Sequence, residues 1–402
     1  MKITVLGAGA IGAAIARDLA HHADVSLVQV CDLRARALNE LQAKVKSPKL
    51  RAFQADVRDP WLLRPIVEGS ACIVASVPSS IAPALARLAL SLGIPYVDMG
   101  GPDAIVAEQL ALADEARARG VWIVPNCGIT PGLVNVLCLH GIDQFEHAGA
   151  AQVRVGDLPA EPVEPFNFAV SWSVEKVLDD YTAPVEIIED GERRTVAPLT
   201  GLEEVRFAPP FDRLEAFHAQ GGQSPLASAV EGRVACLDHK LVRWPGHASQ
   251  IRFLLALGLA ENRSIDVRTH LTYRDVLLRR MRQYLGTDTR DVLLGRVLVR
   301  GTREGRPQTL VYELQQDYDD DTGRSAIRQA TGIVTATLAV TLARGDVPGG
   351  GAAPPEMVLD RGAYLAAVRA AGLDVRETWY DGHRSVSDPT RSVSDPTRDI
   401  RA

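Results

Sequence analysis

The chain has 402 residues, of which 46% are hydrophobic and 23% charged, so it can bury a sizeable core and is long enough for two domains. Its formal net charge is −6, which leaves no excess of basic side chains to neutralise phosphates, and we expect no nucleic-acid or membrane partner. Five cysteines without a CxxC spacing, and an N-terminus that lacks a signal-peptide pattern, favour reduced thiols and a cytoplasmic location.

Residues 1–125 alternate short apolar runs with amphipathic stretches. The runs are rich in Val and Ile and predict strands at 3–6, 25–31, 51–55, 72–77, 96–99 and 121–125. The stretches between them have helical periodicity and lie at 10–22, 36–45, 80–92 and 104–119. Strands that alternate with helices are typical of βαβ units, so we predict an α/β fold with a doubly wound parallel sheet of the Rossmann type.

The first predicted strand ends in VLGAGAIG, a GxGxxG fingerprint that opens the first predicted helix. In this setting Gly7 allows a tight turn, Gly9 lets the backbone approach a pyrophosphate, and Gly12 lets the helix pack closely on the strand. We therefore predict a dinucleotide site with the phosphates at the helix N-terminus. The predicted fingerprint residues are Gly7, Gly9, Ala10, Ile11 and Gly12.

Asp32 ends the second predicted strand, where a carboxylate binds the ribose 2′-hydroxyl of NAD and repels the 2′-phosphate of NADP. NAD is therefore predicted over NADP, although Arg34 and Arg36 stand where an arginine could accept that phosphate. The alternative is that Asp32 only caps the next helix. Positions at later strand ends add five candidates, which are Asp56 and Val57 near the adenine and Ser76, Val77 and Pro78 near the nicotinamide ribose.

Two further loops follow predicted strands at the carboxyl edge, where open α/β sheets bind ligands. DMGG places Asp98 at the end of the fifth strand, and NCGITPGL, residues 126–133, follows the sixth. The Gly and Pro residues of this second loop would present backbone N–H groups to a ligand, with Cys127, Gly128 and Thr130 as candidate binding residues. The alternative is a simple turn into the next domain.

Residues 151–325 contain more Pro, more charge and longer strand-like stretches, which predict a mixed α+β domain with hairpin turns at EDGER and GTREGR. Residues 324–346 predict a long apolar helix that returns to the first domain and whose apolar run is too short to span a membrane. The predicted domains are therefore 1–125 with 326–375, and 126–325.

The stretch RSVSDPT occurs twice, at 384–390 and 391–397. It is polar and lacks aromatic residues, so we predict a solvated, disordered tail over 381–402. A tail that binds a partner is the alternative.

The second domain offers a basic and aromatic cluster in KLVRWPGHASQ, with Lys240, Arg243 and His247 around a Pro-Gly turn. Such groups suit a substrate carboxylate, and Arg243 is the predicted residue that binds it. Trp172, just before a predicted helix, is a second candidate for substrate binding. The alternative is a solvated strand followed by a capped helix. The histidines show neither HxxxH nor HxH pairing, so no metal site is predicted.

The sequence resembles the saccharopine dehydrogenase-like family. The matching segments keep the family's order over about residues 1–375, and they include VLGAGAIG, ADVRDP, YVDMGG, VPNCGITPGLVN, LEAFHAQGG and KLVRWPGHASQIRF. The resemblance is greatest to the lysine 6-dehydrogenase branch. In the saccharopine-forming and carboxynorspermidine-forming branches an Asp precedes Pro-Gly in the second loop, whereas here that residue is Thr130.

The resemblance implies an NAD-dependent enzyme that oxidatively deaminates the 6-amino group of L-lysine to allysine, which cyclises to a piperideine carboxylate, with release of ammonia. It also implies a second α+β domain that binds the amino-acid substrate and forms a homodimer or homotetramer. In this assignment Lys240 or His247 is the base or proton relay, and Asp98 faces the leaving amine. The alternatives are a reductive coupling of an amine with an aldehyde using NADPH, a dehydrogenase of another ω-amino acid, and a non-catalytic NAD-binding scaffold.

Overall fold

The structure, a computed structural model, describes residues 1–170, 173–286 and 289–393. The chain divides into two compact units. Residues 1–136 with 328–373 are the first domain, and residues 137–327 with the chain from residue 374 onward are the second domain.

The first domain begins with six short strands that alternate with helices. The strands are apolar runs, namely β1 (Lys2–Leu6), β2 (Leu27–Asp32), β3 (Leu50–Gln54), β4 (Cys72–Ala75), β5 (Tyr96–Asp98) and β6 (Trp122–Val124). The helices between them bury one apolar face, and they are α1 (Ala10–His21), α2 (Ala35–Val45), α3 (Pro60–Val67), α4 (Ala82–Leu92), α5 (Asp103–Leu110) and α6 (Ala113–Arg119).

Helix α7 (Leu133–Ile142) leads into longer strands. These are β7 (His147–Pro159), β8 (Val185–Glu189), β9 (Glu192–Val196), β10 (Glu203–Val205), β11 (Leu214–His218), β12 (Cys236–Arg243), β13 (Asp291–Arg303) and β14 (Arg306–Asp317). Four helices lie among them, namely α8 (Val174–Asp180), α9 (Ser224–Val230), α10 (His247–Ala256) and α11 (Tyr273–Tyr284). The two predicted hairpins are confirmed, since β8 pairs with β9 and β13 with β14 in antiparallel fashion.

The chain ends with α12 (Ala326–Arg344), β15 (Gly351–Ala352), α13 (Pro355–Val358), α14 (Arg361–Ala370) and β16 (Val375–Asp381). Among the described residues, α12 alone is long and apolar enough to cross a membrane by length and composition, but 67% of its most apolar window is buried. It is thus a core helix, as the sequence predicted.

Two sheets carry the fold. The first has seven strands in the order β15-β6-β5-β4-β1-β2-β3, and all six neighbouring pairs are parallel. The second has nine strands, with the order β10-β11-β12-β7-β13-β14-β16; in addition β8 pairs with β12, and β9 pairs with β8. In it β12 and β7 are parallel, while the other described pairs are antiparallel. The predicted Rossmann sheet with a second α+β domain is confirmed.

The compact first unit extends past the predicted boundary at residue 125, since it includes residues 126–136. The Cys127 amide donates to the Asp98 carbonyl at 2.8 Å, and the Thr335 hydroxyl donates to the Cys127 carbonyl at 2.8 Å. The loop after β6 is therefore fixed by the Rossmann sheet and by α12.

The predicted tail from residue 381 is wrong for the first RSVSDPT copy, which packs on the second sheet. Val386 is fully buried against Leu298 and Val311. The Arg296 guanidinium donates to the Val386 carbonyl at 2.9 Å, and the Arg206 amide donates to the Ser387 carbonyl at 2.9 Å. Most of the second copy, residues 394–397, lies outside the described residues.

The two copies offer a matched test of this packing. Val386→Ala should lower the free energy of unfolding of the second domain by about 2 kcal/mol, because it removes buried methyl groups. Val393→Ala, the same change in the same local sequence, should lower it by clearly less, since Val393 is only partly buried. Urea unfolding monitored by circular dichroism measures both variants, and equal losses would contradict the packing described here.

Candidate functional site

The fingerprint loop of the first domain has the geometry that a pyrophosphate requires. Gly7 has φ of +99°, and a Cβ there would lie 2.2 Å from the Ser76 carbonyl oxygen. A Cβ at Gly12 would lie 2.0 Å from the Gly7 carbonyl oxygen, so both glycines are required by close packing. At Gly9, by contrast, a Cβ would meet no atom nearer than 3.9 Å, and space remains beside the backbone.

The N-terminus of α1 is suited to an anion. Gly9 is its N-cap and supplies no capping side chain, and the first turn, which includes Ala10 and Ile11, contains no acidic residue. The first amides of α1 and its positive dipole end therefore remain for a ligand. These residues fit a dinucleotide pyrophosphate.

Asp32 lies beside this loop and is nearly buried, at 7% exposure. Its carboxylate accepts hydrogen bonds from the Ala8 amide at 2.7 Å and the Arg34 amide at 2.8 Å, and from the Arg34 Nε at 3.3 Å. Burial alone would raise the pKa of Asp32, but these hydrogen bonds outweigh it and hold the pKa below its ordinary value. Asp32 is therefore an anion, and the exposed guanidinium of Arg34 stands next to it.

The other predicted cofactor residues lie at the ends of β3 and β4. Asp56 forms an ion pair with Arg58 at 2.6 Å, and Val57 packs on the core of the first domain. The Ser76 amide donates to the Leu6 carbonyl at 2.7 Å, which ties the end of β4 to β1. Val77 also packs on the core, whereas Pro78 is exposed and precedes a short 3₁₀ turn.

Asp98 does not have the setting predicted for it. Its side chain is 3% exposed, one carboxylate oxygen accepts from the Gly100 amide at 2.7 Å, and the other accepts from the Gln109 side-chain amide. Burial raises the pKa of Asp98, and these hydrogen bonds oppose it. Both oxygens accept hydrogen bonds that hold the DMGG loop, a setting that does not favour the predicted role beside a leaving amine.

The loop NCGITPGL presents one side chain to solvent. From Ile123 to Leu139, all of them described, every residue is buried except Thr130. Cys127 is fully buried and its Sγ donates to the Val124 carbonyl at 3.0 Å, a setting that does not favour the predicted contact with a substrate. Gly128 is also buried, and a Cβ at Gly132 would lie 2.0 Å from the Gly128 carbonyl oxygen. The glycines close the loop on itself.

A buried carboxyl supports this loop from within the first domain. The Asn135 side-chain amide donates to Glu356 Oε1 at 3.1 Å, while Glu356 Oε2 has no hydrogen-bond partner among the described residues. Burial raises the pKa of Glu356 to about 7, and its hydrogen bonds and the charge of Arg361 oppose the shift. Glu356 was not identified from the sequence, because nothing in PPEMV marks it as buried.

In the second domain, two residues of the predicted basic cluster, Lys240 and Arg243, lie in strand β12 but on opposite faces of the sheet. All eight residues of β12 are buried, and side chains of a strand alternate between the two faces of the sheet. Lys240 therefore shares a face with Asp238, and Arg243 shares the opposite face with His239. The sequence prediction of a single cluster is wrong in this respect.

Lys240 belongs to a buried ion-pair network. Its Nζ lies 3.3 Å from Glu203 and 3.7 Å from Asp238. Arg154 donates to both of these carboxylates, and the His218 Nε2 lies 2.8 Å from the other Asp238 oxygen. Although burial opposes it, these cations hold the pKa of Asp238 well below its ordinary value. Because its ammonium pairs with two carboxylates, Lys240 is a structural cation and does not suit the predicted role of base.

Arg243 and His247 meet on the other face. Arg243 lies 3.3 Å from the Asp157 carboxylate and donates from Nε to the Tyr181 hydroxyl at 3.1 Å. The His247 Nε2 lies 2.9 Å from the same hydroxyl, and its Nδ1 lies 2.8 Å from the Phe166 carbonyl. Burial, helped by the charge of Arg243, lowers the pKa of His247 to about 3. His247 therefore stays neutral at ordinary pH and does not suit the predicted role of base.

Two residues of this group were missed from the sequence. Tyr181 joins Arg243 to His247, and Asp157 also lines a small cleft with Pro159 and Asp291. A tyrosine in DDYTAP could have been singled out, because a buried hydroxyl needs a hydrogen-bond partner. Trp172, the other predicted substrate residue, lies outside the described residues.

Comparison with known families matches both domains. A family profile described as the saccharopine dehydrogenase NADP binding domain matches residues 3–124, and one described as the saccharopine dehydrogenase C-terminal domain matches residues 128–373. The mitochondrial alpha-aminoadipic semialdehyde synthase of Rattus norvegicus is 21% identical over 270 residues, which are 64% of this chain and 28% of that protein. The Mus musculus protein of the same name is 21% identical over 227 residues, 55% of this chain and 24% of its own length. The chain thus spans about a quarter of the length of these curated relatives.

Two solved structures share the fold over nearly the whole chain. The apo saccharopine dehydrogenase (L-Glu forming) of Saccharomyces cerevisiae has a TM-score of 0.76 and 16% identity, with 94% of this chain and 99% of that chain covered. The homospermidine synthase of Legionella pneumophila in complex with NAD has a TM-score of 0.67 and 14% identity, with 99% and 96% covered.

The buried Glu356 predicts a pH-dependent stability. A carboxyl whose pKa is about 7 when folded, against an ordinary 4.5, loses stabilising free energy as the pH rises through this interval. Glu356→Gln removes that loss, so relative to the native chain it should gain about 2–3 kcal/mol between pH 5 and pH 8.5. Urea unfolding at both pH values measures the gain. Glu108→Gln, on the exposed side of α5, is the control, and the same gain in that variant would refute the assignment.

Proposed function

The chain belongs to the saccharopine dehydrogenase family of oxidoreductases, and residues 3–124 form its pyridine-nucleotide-binding domain. From this membership we propose that it is an NAD-dependent dehydrogenase that oxidatively deaminates the 6-amino group of L-lysine. The products would be ammonia and an aldehyde that cyclises with its own α-amine.

The observation that supports this substrate is Thr130. In branches of the family that join two substrate moieties, the resemblance implies an Asp before Pro-Gly, and that carboxylate suits a second amino-acid moiety. Here Thr130 is the one side chain of its loop that reaches solvent, and it is uncharged. A loop without that carboxylate favours an amino acid with a single α-carboxylate and α-amine, such as lysine.

The first domain supplies the cofactor site. The open space at Gly9 and the uncapped N-terminus of α1 fit a pyrophosphate, and the Asp32 carboxylate fits a ribose hydroxyl. When bound, the nicotinamide would accept a hydride from the carbon that carries the amine. We propose NAD, because the ionised Asp32 repels a 2′-phosphate, and we assign to Arg34 whatever affinity for NADP the protein has.

In the second domain, Arg243 is the side chain that we propose for a substrate carboxylate. Arg243 remains cationic, and its Nη2 has no hydrogen-bond partner among the described residues. An arginine whose Nε and Nη1 are fixed by hydrogen bonds, and whose Nη2 can still donate, suits a carboxylate ligand. The side-chain ammonium of free lysine has a pKa of about 10.4 and must lose its proton before a hydride can leave the adjacent carbon. Neither Lys240 nor His247 has the geometry to take that proton.

A second candidate is the reductive coupling of an amine with an aldehyde by NADPH. The description of the matching domain as NADP binding and the exposed Arg34 favour it. A dehydrogenase of another ω-amino acid is a third candidate, since one methylene changes the binding free energy by only about 1–3 kcal/mol. A non-catalytic scaffold that only binds NAD is the least favoured, because the first domain keeps an open nucleotide loop and the second domain keeps an arginine with a free amino group.

An initial-rate screen tests the proposal. The purified full chain would be assayed at mildly alkaline pH with NAD or NADP against L-lysine, L-ornithine and saccharopine, with reduced cofactor and ammonia measured together. We expect turnover with L-lysine and NAD and one ammonia for each reduced cofactor. Turnover with saccharopine but not lysine would contradict the argument from Thr130.

Arg34 gives a separate test of cofactor choice. NAD should bind at least tenfold more tightly than NADP, and Arg34→Ala should weaken NADP by about tenfold while NAD changes little, because a charged hydrogen bond contributes about 1.5–3 kcal/mol. Isothermal titration calorimetry measures both affinities without turnover. Arg36→Ala is the control, since Arg36 pairs with Glu40 at 2.7 Å on the exposed side of α2. Equal effects of the two variants on NADP would contradict this role of Arg34.

A further inference from the structure

Arg243, Tyr181 and His247 form one directed chain of hydrogen bonds in the second domain. The three residues come from different elements, namely the end of β12, the C-cap of α8 and the first position of α10. Tyr181 is 1% exposed and His247 0%, so bulk solvent does not reach these two side chains. The proposed function uses Arg243 but leaves Tyr181 without a role.

The direction of these hydrogen bonds follows from their chemistry. The Phe166 carbonyl can only accept, so the proton of neutral His247 must be on Nδ1, 2.8 Å away. The His247 Nε2 is then an acceptor, and the Tyr181 hydroxyl donates to it at 2.9 Å. The Tyr181 oxygen in turn accepts from the Arg243 Nε at 3.1 Å. Each group in the chain therefore has one fixed role.

These hydrogen bonds leave one edge of the Arg243 guanidinium, at Nη2, without a partner among the described residues. Nη1 donates to the Val242 carbonyl at 2.9 Å and to the Asp157 carbonyl at 3.2 Å, and Nε donates to Tyr181. The Phe168 ring covers one face of the guanidinium at 4.6 Å. Nη2 is thus the amino group that remains, in a side chain that is 2% exposed.

We propose that Tyr181 is a positioning residue which, through its hydroxyl, fixes the guanidinium of Arg243 so that Nη2 is presented to the carboxylate of an amino-acid substrate. The inference rests on the proposed function and adds a residue that determines substrate recognition. Without the hydroxyl, the Arg243 Nε loses its acceptor and the His247 Nε2 loses its donor, so the guanidinium can rotate away from the ligand. Burial raises the pKa of Tyr181 to about 12, so the hydroxyl keeps its proton at the working pH.

Tyr181→Phe tests the inference, because it keeps the ring that packs on Phe217 and His247 and removes only the hydroxyl. We expect KM for L-lysine to rise about tenfold, KM for NAD to stay unchanged, and kcat to change less than about threefold. The inhibition constant of 1,5-diaminopentane, which is lysine without its carboxylate, should not change. Tyr312→Phe is the control, since Tyr312 is a buried tyrosine of the same domain whose hydroxyl lies 2.7 Å from His140 Nδ1.

Two variants of His247 keep the inference testable if Tyr181→Phe does not fold. His247→Leu removes the acceptor of the Tyr181 hydroxyl and should reproduce the rise in KM. His247→Gln can accept from Tyr181 and donate to the Phe166 carbonyl, and it should restore KM to within about threefold of the native value. A loss of kcat above about a hundredfold in His247→Gln would overturn the inference, because His247 would then take part in the reaction itself.

The remaining outcomes separate this inference from the proposed function. Native turnover of lysine with an unchanged KM in Tyr181→Phe, or an equal loss with 1,5-diaminopentane, overturns the positioning role and leaves the proposed function standing. A native chain that neither turns over nor binds any amino acid in a thermal-shift assay overturns the proposed function, and the positioning role with it.

Discussion

The second domain depends on how β12, a strand that carries the charged side chains of Asp238, Lys240 and Arg243, can be buried on both faces. Burying a charge without a partner costs far more than one hydrogen bond returns, so each of these three side chains must find its partner inside the protein. Asp238 and Lys240 do so with Arg154 and Glu203, and Arg243 does so with Asp157. These pairings tie β12 to β7, which carries Arg154 and Asp157, and to β10, which begins at Glu203.

The need of each buried charge for a partner also distinguishes charged groups that only hold the fold together from those that can bind a ligand. On one face of β12, Arg154 and Lys240 each lie within ion-pair distance of two carboxylates, so their charges are neutralised within the protein. On the other face one arginine has a single carboxylate partner at 3.3 Å and uses carbonyls and a hydroxyl for the rest. The Nη2 amino group of this arginine therefore remains available to a ligand. In the first domain the equivalent contrast is between Asp98, whose two oxygens are both used, and Thr130, which reaches solvent.

The Rossmann sheet and its glycine loop could be predicted from the sequence because their signals are local. Gly7, Gly9 and Gly12 lie within six residues, and the alternation of strands and helices extends over the whole N-terminal third. The roles of Lys240 and Arg243 could not be predicted in the same way. Three positions apart, they are neighbours on a helix but lie on opposite faces of a strand, and the partners that distinguish them come from other strands.

Tyr181 shows the same limit more clearly. Its two hydrogen-bond partners are 62 and 66 residues away in the chain, so no spacing within a motif connects them. Asp98 shows the reverse, because its position at a strand end correctly indicated the loop edge, while its hydrogen bonds to Gly100 and Gln109 depend on the packing of α5. Strand ends predict where a site lies, and only tertiary packing decides which side chains remain available there.

The docked RSVSDPT copy has a practical meaning for anyone who shortens or extends this protein. Cleavage after residue 383 would remove Val386 and so expose the apolar side chains of Leu298 and Val311. It would also remove the carbonyl groups to which the buried guanidinium of Arg296 donates. The C-terminal segment up to residue 390 is thus part of the folded second domain. An affinity tag should therefore follow the repeat and should not replace it.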